Sequence, residues 1–226
     1  MKPLIIIFSF LCLNLFCTAQ KSNGRILQTT EVNKIFDALF KKNNKITFPI
    51  IKVYEYAEDN GKYLLALTES VDAIKGKDTN SKNIKAFLFK AEKNGYIKVI
   101  EITDKSNPTI NEEYSISFFT KYISLEKVGN TTVPIIVYAT KAMNNHMDGR
   151  IKIIIIFNNK KITIHHQNAV LDGERLTKID KAFYTLPSAI QNEVKKKITA
   201  MEEEKIAIFG DDWENEMKKK KLEIKG

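Results

Sequence analysis

Three histidines, His146, His165 and His166, supply all the imidazole in this 226-residue chain, and imidazole is the side chain best suited to acid, base or metal-ligand work near neutral pH. His165 and His166 stand together in the stretch GRIKIIIIFNNKKITIHHQNA, from Gly149 to Ala169. His146 lies with Asp148 and Arg150 in the polar segment NHMDGR just before it. A hydrolytic site built from these residues would combine His146, Asp148 and His165 or His166. The pair itself cannot act as a unit on a strand, because successive side chains point to opposite faces. Strand alternation puts His166 at the end of the apolar row Ile162, Ile164, and His165 with Lys161 and Thr163 on the other face. No His-Glu-x-x-His or comparable ligand spacing occurs, so no metal site is predicted.

Carboxylate pairs are the other source of acid–base chemistry. Glu112-Glu113, Glu202 to Glu204 and Asp211-Asp212 are the dense clusters. The last two fall on a helix or at a helix start, where acids satisfy free N–H groups and the helix dipole. The chain has no Gly-x-Ser-x-Gly elbow, no Walker loop and no dinucleotide fingerprint, so no cofactor is expected. Four strand tyrosines, Tyr54, Tyr56, Tyr63 and Tyr96, are candidates for a ligand-binding patch, with Arg150 as a polar partner on its loop.

The first 19 residues, MKPLIIIFSFLCLNLFCTA, order a single lysine, an apolar run from Leu4 to Leu13 and a small-residue end at Thr18-Ala19. That is the layout of a secretory signal peptide, so residues 1–19 are expected to be removed and the protein exported to the periplasm or cell surface. Both cysteines, Cys12 and Cys17, lie inside that segment. The mature chain then has no thiol nucleophile and no disulfide, and must be held by its core alone. With hydrophobic residues at 43% and just over two hundred residues left, residues 20–226 suit a single domain. No later run is expected to span a membrane. Cleavage removes one lysine and no acid, so the charge stays strongly positive, one below the +9 of the whole chain. Such a surface favours polyanions. The lysines are dispersed, however, and beyond residue 150 only Arg175 offers a guanidinium, so no specific nucleic-acid partner is expected.

The elements that must position these residues are legible from periodicity. TTEVNKIFDALFKKNN places Val32, Ile35, Phe36, Leu39 and Phe40 on one stripe, predicting one amphipathic helix with Thr29 or Thr30 as N-cap. Asn60-Gly61 and Asn94-Gly95 each join two strand-like runs, predicting two hairpins with tight primed turns in an antiparallel meander. VDAIKGKDTNSK between them reads as an exposed loop. EYSISFFTKYISLEKV and TTVPIIVYAT give further strands, with Pro134 marking an edge or bulge. The IKIIIIF hairpin should lie centrally, a helix covering part of its second face. After Asp172 strand signals give way to helices. Pro187 opens one in which Ile190, Val194, Ile198 and Met201 form a stripe, and a terminal helix carries Trp213 and Met217 inward. The expected fold is α+β, one mostly antiparallel sheet of about six to eight strands with an N-terminal helix and C-terminal helices.

The runs YLLALTES, KAFLFKAEKNGYIKVIEITD, PIIVYAT, GRIKIIIIFNNKKITIHHQN and LPSAIQNEVKKKITAMEE, spanning roughly Tyr63 to Trp213, resemble exported Bacteroidota proteins grouped as a surface polysaccharide biosynthesis family. The signal ending TAQ is similar to those of that phylum. Members often carry an acidic turn before the strand matching VPIIVYAT. Here SLEKVGNTT keeps Glu126 and Gly129 without a ladder of aspartates, so a calcium loop is not implied. Together with the signal peptide, the sparse imidazole and the absence of thiols and catalytic motifs, the resemblance leads to the expectation of an exported, non-catalytic envelope protein that binds or supports assembly of a surface polysaccharide or an envelope partner. A periplasmic hydrolase using His146, Asp148 and His165 or His166 is the alternative, and a basic anion-binding protein a third reading.

Overall fold

A computed structural model describes residues 20–21, 24–75, 78–109, 112–142 and 148–226. The N-terminal part runs β1 (Gln20–Lys21), β2 (Arg25–Ile26), α1 (Thr29–Ile35) and α2 (Ala38–Asn43). The meander follows as β3 (Ile50–Glu58), β4 (Gly61–Glu69), β5 (Ala73–Lys75), β6 (Asp78–Asn80), β7 (Asn83–Glu92) and β8 (Gly95–Lys105). Then come β9 (Ser115–Phe118), β10 (Ser124–Val128), β11 (Thr131–Lys141), β12 (Arg150–Phe157) and β13 (Lys160–Gln167). The chain closes with β14 (Leu176–Ile179), α3 (Ser188–Glu203), α4 (Trp213–Lys218) and β15 (Glu223–Lys225). The fold is thus α+β and its strand pairings are antiparallel.

The strands divide between two main sheets rather than forming one. β2-β3-β4-β7-β8 make a five-stranded sheet, and β1-β10-β11-β12-β13-β14-β15 make a larger one in which β9 also pairs with β11. The reason lies in burial on both faces. In β12, Ile153 and Ile155 point into a cluster shared with Ile190, Val194, Ile198, Met201, Trp213 and Met217 of the C-terminal helices. Ile154 and Ile156 point the other way, into a layer shared with Leu65, Leu67, Leu88 and Ile102 of the five-stranded sheet. A four-isoleucine run needs two apolar covers, and each fully buried aliphatic side chain contributes about 1.5–3 kcal/mol. The outer face of the smaller sheet is covered by Phe36 and neighbours of α1 and α2, packed on Val53, Leu64, Phe87 and Phe89. The order of layers is helices, five-stranded sheet, larger sheet, helices.

Several local expectations need correction. The N-terminal helix is two helices, because Asp37 accepts the Phe40 N–H at 2.7 Å and starts a new one. Gln28 precedes α1, with Glu31 accepting its backbone N–H at 2.9 Å, so neither Thr29 nor Thr30 is the cap. Leu39, expected on the buried stripe, is exposed after this break. Both Asn-Gly hairpins form, but the glycines open β4 and β8 instead of sitting within the turn, at φ 141° and 130°. The two-residue primed turn is Asn158-Asn159, with φ 50° and 58°. The expected loop between the hairpins carries the short β5–β6 pair. Pro134 sits in an interior strand, one residue before the β11–β12 register begins at Ile135, so its missing N–H falls at the end of that ladder. β14 and β15 extend the larger sheet where no further strands were expected; at four and three residues they are too short for a periodic signal.

Candidate functional site

The histidine pair is split by the sheet as alternation requires. His166 is 1% exposed and faces the helical layer, its ring stacked 3.9 Å from that of Phe209. Asn168 Oδ1 accepts both from the Ile208 N–H at 2.9 Å and from His166 Nε2 at 2.8 Å, while Asn168 Nδ2 donates to Ile206 O. The proton therefore sits on Nε2, and Nδ1 accepts from the Thr177 hydroxyl at 2.8 Å. Burial depresses this imidazole to about 4, against the opposing effect of its hydrogen bond to Asn168, so it is neutral at physiological pH. His166 is a satisfied structural group joining β13, β14 and the segment after α3.

His165 is half-buried on the opposite face, opposite Lys152 and Lys178 in register. Asp148 accepts the Val170 N–H at 3.0 Å, and its carbonyl accepts from Gln167 Nε2 at the same distance. It ties the loop to β13. His146 lies outside the described residues. Among the described residues His165, His166 and Asp148 do not converge on one cleft, and no group of three or more metal-ligating side chains occurs.

At one end of β11, Arg150 is clamped instead of open to a ligand. Its guanidinium bonds Glu113 through Nε to Oε1 at 2.5 Å and Nη2 to Oε2 at 2.7 Å. Glu113, 1% exposed, also accepts from Thr140 Oγ1 and the Asn107 N–H, both at 2.8 Å. Burial works against the Arg150 charge, yet the Glu113 carboxylate raises its pKa. Gly149 makes the approach feasible, since a Cβ there would stand 2.2 Å from Thr140 O. Nearby, Asp104 accepts from Lys152 Nζ at 2.6 Å and Tyr138 Oη at 3.0 Å. Burial alone would raise the Asp104 carboxyl, and Lys152 reverses the direction.

The other end of β11 is open. Here the β3–β4 hairpin, the start of β11 and the Asn158-Asn159 turn enclose a cavity of about 250 Å³ between the two sheets. Tyr56 and Tyr63, directly opposed in register, stack with ring centroids 5.2 Å apart and 10° between planes. Each is under 5% exposed, so they support the wall and offer polar edges more than ring faces. Tyr63 Oη donates to Asn60 Oδ1 at 3.1 Å. Glu58 Oε1 accepts the Thr132 N–H at 3.0 Å, and desolvation raises this carboxyl above its ordinary range despite that bond. Asn158, Asn159 and Thr131 add amide and hydroxyl groups, and Leu88, Pro134 and Ile156 form an apolar floor. Such a mixture of hydrogen-bonding and apolar groups is the lining chemistry of small-molecule sites.

Of the four tyrosines singled out in the sequence, two meet at this cavity. Tyr54 is on the same inner face but within the core, its hydroxyl buried without a partner and its pKa pushed up to about 12 by burial. Tyr96 packs on the outer face of the five-stranded sheet. Sequence reading missed Glu58, Asn60, Thr131, Thr132 and the Asn158-Asn159 pair. The signal that existed was the recurrence of asparagine at hairpin turns; that three such segments meet follows only once the two sheets stack. Comparisons with protein-family models, with curated proteins and with solved structures found no match.

Proposed function

We propose that this protein is an exported, non-catalytic envelope component that binds a neutral sugar residue of a surface polysaccharide in the cavity between the hairpin ends. The observation that carries the reading is the convergence of Glu58, Asn60, Thr131 and the Asn158-Asn159 amides above an apolar floor. Hydrogen-bonding groups set around a nonpolar base match the alternating hydroxyl and C–H faces of a pyranose. The signal-like residues 1–19 and the resemblance to exported surface-polysaccharide proteins support the same setting. Among the described residues, Glu58 is the one carboxylate lining the cavity, and a desolvated carboxylate by itself supports binding over turnover.

The test is a calorimetric titration with a panel of neutral mono- and oligosaccharides, using the wild-type protein and Thr131→Trp, which fills the cavity from its rim. Binding that weakens at least tenfold in the variant while its unfolding midpoint is preserved supports the site. Equal binding by both proteins sinks it. Hydrolysis of any polysaccharide by the purified protein, abolished in Glu58→Gln, overturns the non-catalytic assignment.

A further inference from the structure

The two sheets differ in width, and the larger one overhangs. Its contribution to the inter-sheet core comes from β9, β10, β11 and β12, whereas β13, β14 and β15 place nothing there. The inner face of those last strands carries Lys161, Thr163, His165, Gln167 and Lys178 with Leu176 among them, and lies near the end of β8 through the Lys152–Asp104 pair. Across it runs one cross-strand row set by register: Lys152 opposite His165, His165 opposite Lys178, and Lys178 opposite Glu223. Adjacent strands lie about 4.8 Å apart, so the two lysine backbones bracket the imidazole at about 10 Å, within reach of both flexible stems.

The row is not balanced within the protein. Lys152 is held by Asp104 at 2.6 Å, but that carboxylate also serves Tyr138 and lies 3.8 Å from Arg150. Lys178 and Glu223 are 3.8 Å apart and both more than half exposed, a pairing of little worth in water. Between the lysines, His165 Nε2 is buried and has no hydrogen-bond partner. A half-buried neutral ring flanked by two cations is what an approaching negative group would relieve.

We infer that this face is a second binding site, where an oxyanion substituent of an acidic glycan docks over the Lys152–His165–Lys178 row and draws a proton onto His165. Lys178, 58% exposed at the outer end of the row, is reachable by a charged group carried on a larger molecule. The charge of the row is complementary to it, as is the net charge of +9 on the chain. Docking is coupled to pH. Without ligand, burial and then the charges of Lys152, Arg150 and Lys178, opposed by Asp104, depress His165 to about 4. A bound anion reverses the sign of the local field and favours the imidazolium, so affinity increases as pH falls through about 5 toward 4, the window between the bound and free values. The site is independent of the cavity and stands or falls without it.

The measurement is the pKa of His165, followed by the NMR shift of its ring Cε1–H, alone and with saturating sulfated disaccharide. The sulfate stays ionised throughout, so any pH dependence belongs to the protein. The inference predicts that the disaccharide raises the His165 pKa by about one unit, a tenfold gain in affinity between the deprotonated and protonated forms. Lys178→Ala abolishes that rise, Lys178→Arg restores it, and His165→Gln leaves binding that no longer changes with pH. Inorganic sulfate alone should give a smaller rise. An equal rise with inorganic sulfate overturns the glycan assignment, and an unmoved His165 with both ligands overturns the site. The unsulfated disaccharide is the control, and a rise with it as well would remove charge as the cause.

Discussion

Each end of β11 carries a glutamate between the sheets, and the two are used in opposite ways. Glu113 is bonded by a guanidinium, a hydroxyl and a backbone N–H, which fill both of its oxygens. Glu58 accepts one backbone N–H from Thr132 and otherwise borders a cavity. A buried charge with every lone pair engaged locks structure, since its partners have been desolvated to meet it. A carboxylate with spare acceptor capacity beside empty volume is available to something else. The contrast teaches that polarity between two sheets is not by itself a sign of a site; what matters is whether the polar groups are already satisfied by one another.

The most severe way to break that comparison is to remove Glu113. Glu113→Ala leaves Arg150 without its carboxylate in a half-buried setting, and the expected loss is about 3–5 kcal/mol by urea denaturation. A loss below about 1 kcal/mol would show that the clamp is no more than a surface pair.

The histidines sharpen the same contrast through pH. His166 has a folded pKa near 4 against an ordinary value of 6.5, so the unfolded chain takes up its proton first. The stability from keeping His166 neutral is complete above pH 6.5 and is lost as pH falls from 6.5 toward 4, on the order of 3 kcal/mol in all. His165 acts in the same direction over the same window, with a smaller effect because its ring is partly exposed. Denaturation midpoints taken between pH 7 and pH 4.5 should fall less steeply for His166→Gln than for wild type. Equal slopes would place the acid sensitivity elsewhere.

The smallest effect is expected at Glu58. Its carboxyl is raised by desolvation, so its charge costs stability above the ordinary carboxylate range and less as the pH is lowered. Glu58→Gln keeps an acceptor for Thr132 and should leave stability at pH 7 unchanged or slightly higher. A large loss would make Glu58 a second clamp and erase the difference between the two ends.

Much of this arrangement was legible in the residues. Strand-like apolar runs bounded by turn residues located β3, β4, β7, β8, β11, β12 and β13, and the i, i+4, i+8, i+11 stripe located α3, because those segments are long enough to stand out. Strand alternation by itself sends His165 and His166 to opposite faces. The division into two sheets was not legible, since an apolar run such as IKIIIIF demands cover on both faces without saying whether helices or strands supply it. Asp37 broke a helix whose apolar stripe reads as continuous, its side chain bonding the Phe40 N–H more favourably than the helix could. The tyrosines drew attention to the inner face of β3 and β4, but Glu58 and the Asn158-Asn159 turn are a hundred residues apart in sequence, and only sheet stacking brings them together. Arg150 looked like a loop residue open to ligand because its partner, Glu113, lies in a segment with no strong pattern.

The most direct test of the central claim is an amide-resolved NMR titration of the wild-type protein with the neutral saccharide panel. The account predicts that at least one member shifts the amides of Gly61, Thr131, Thr132, Asn158 and Asn159 together, leaving those around Glu113 and Arg150 in place. A panel that binds while moving only residues outside the cavity, or that moves none of these amides at any concentration tested, would contradict it.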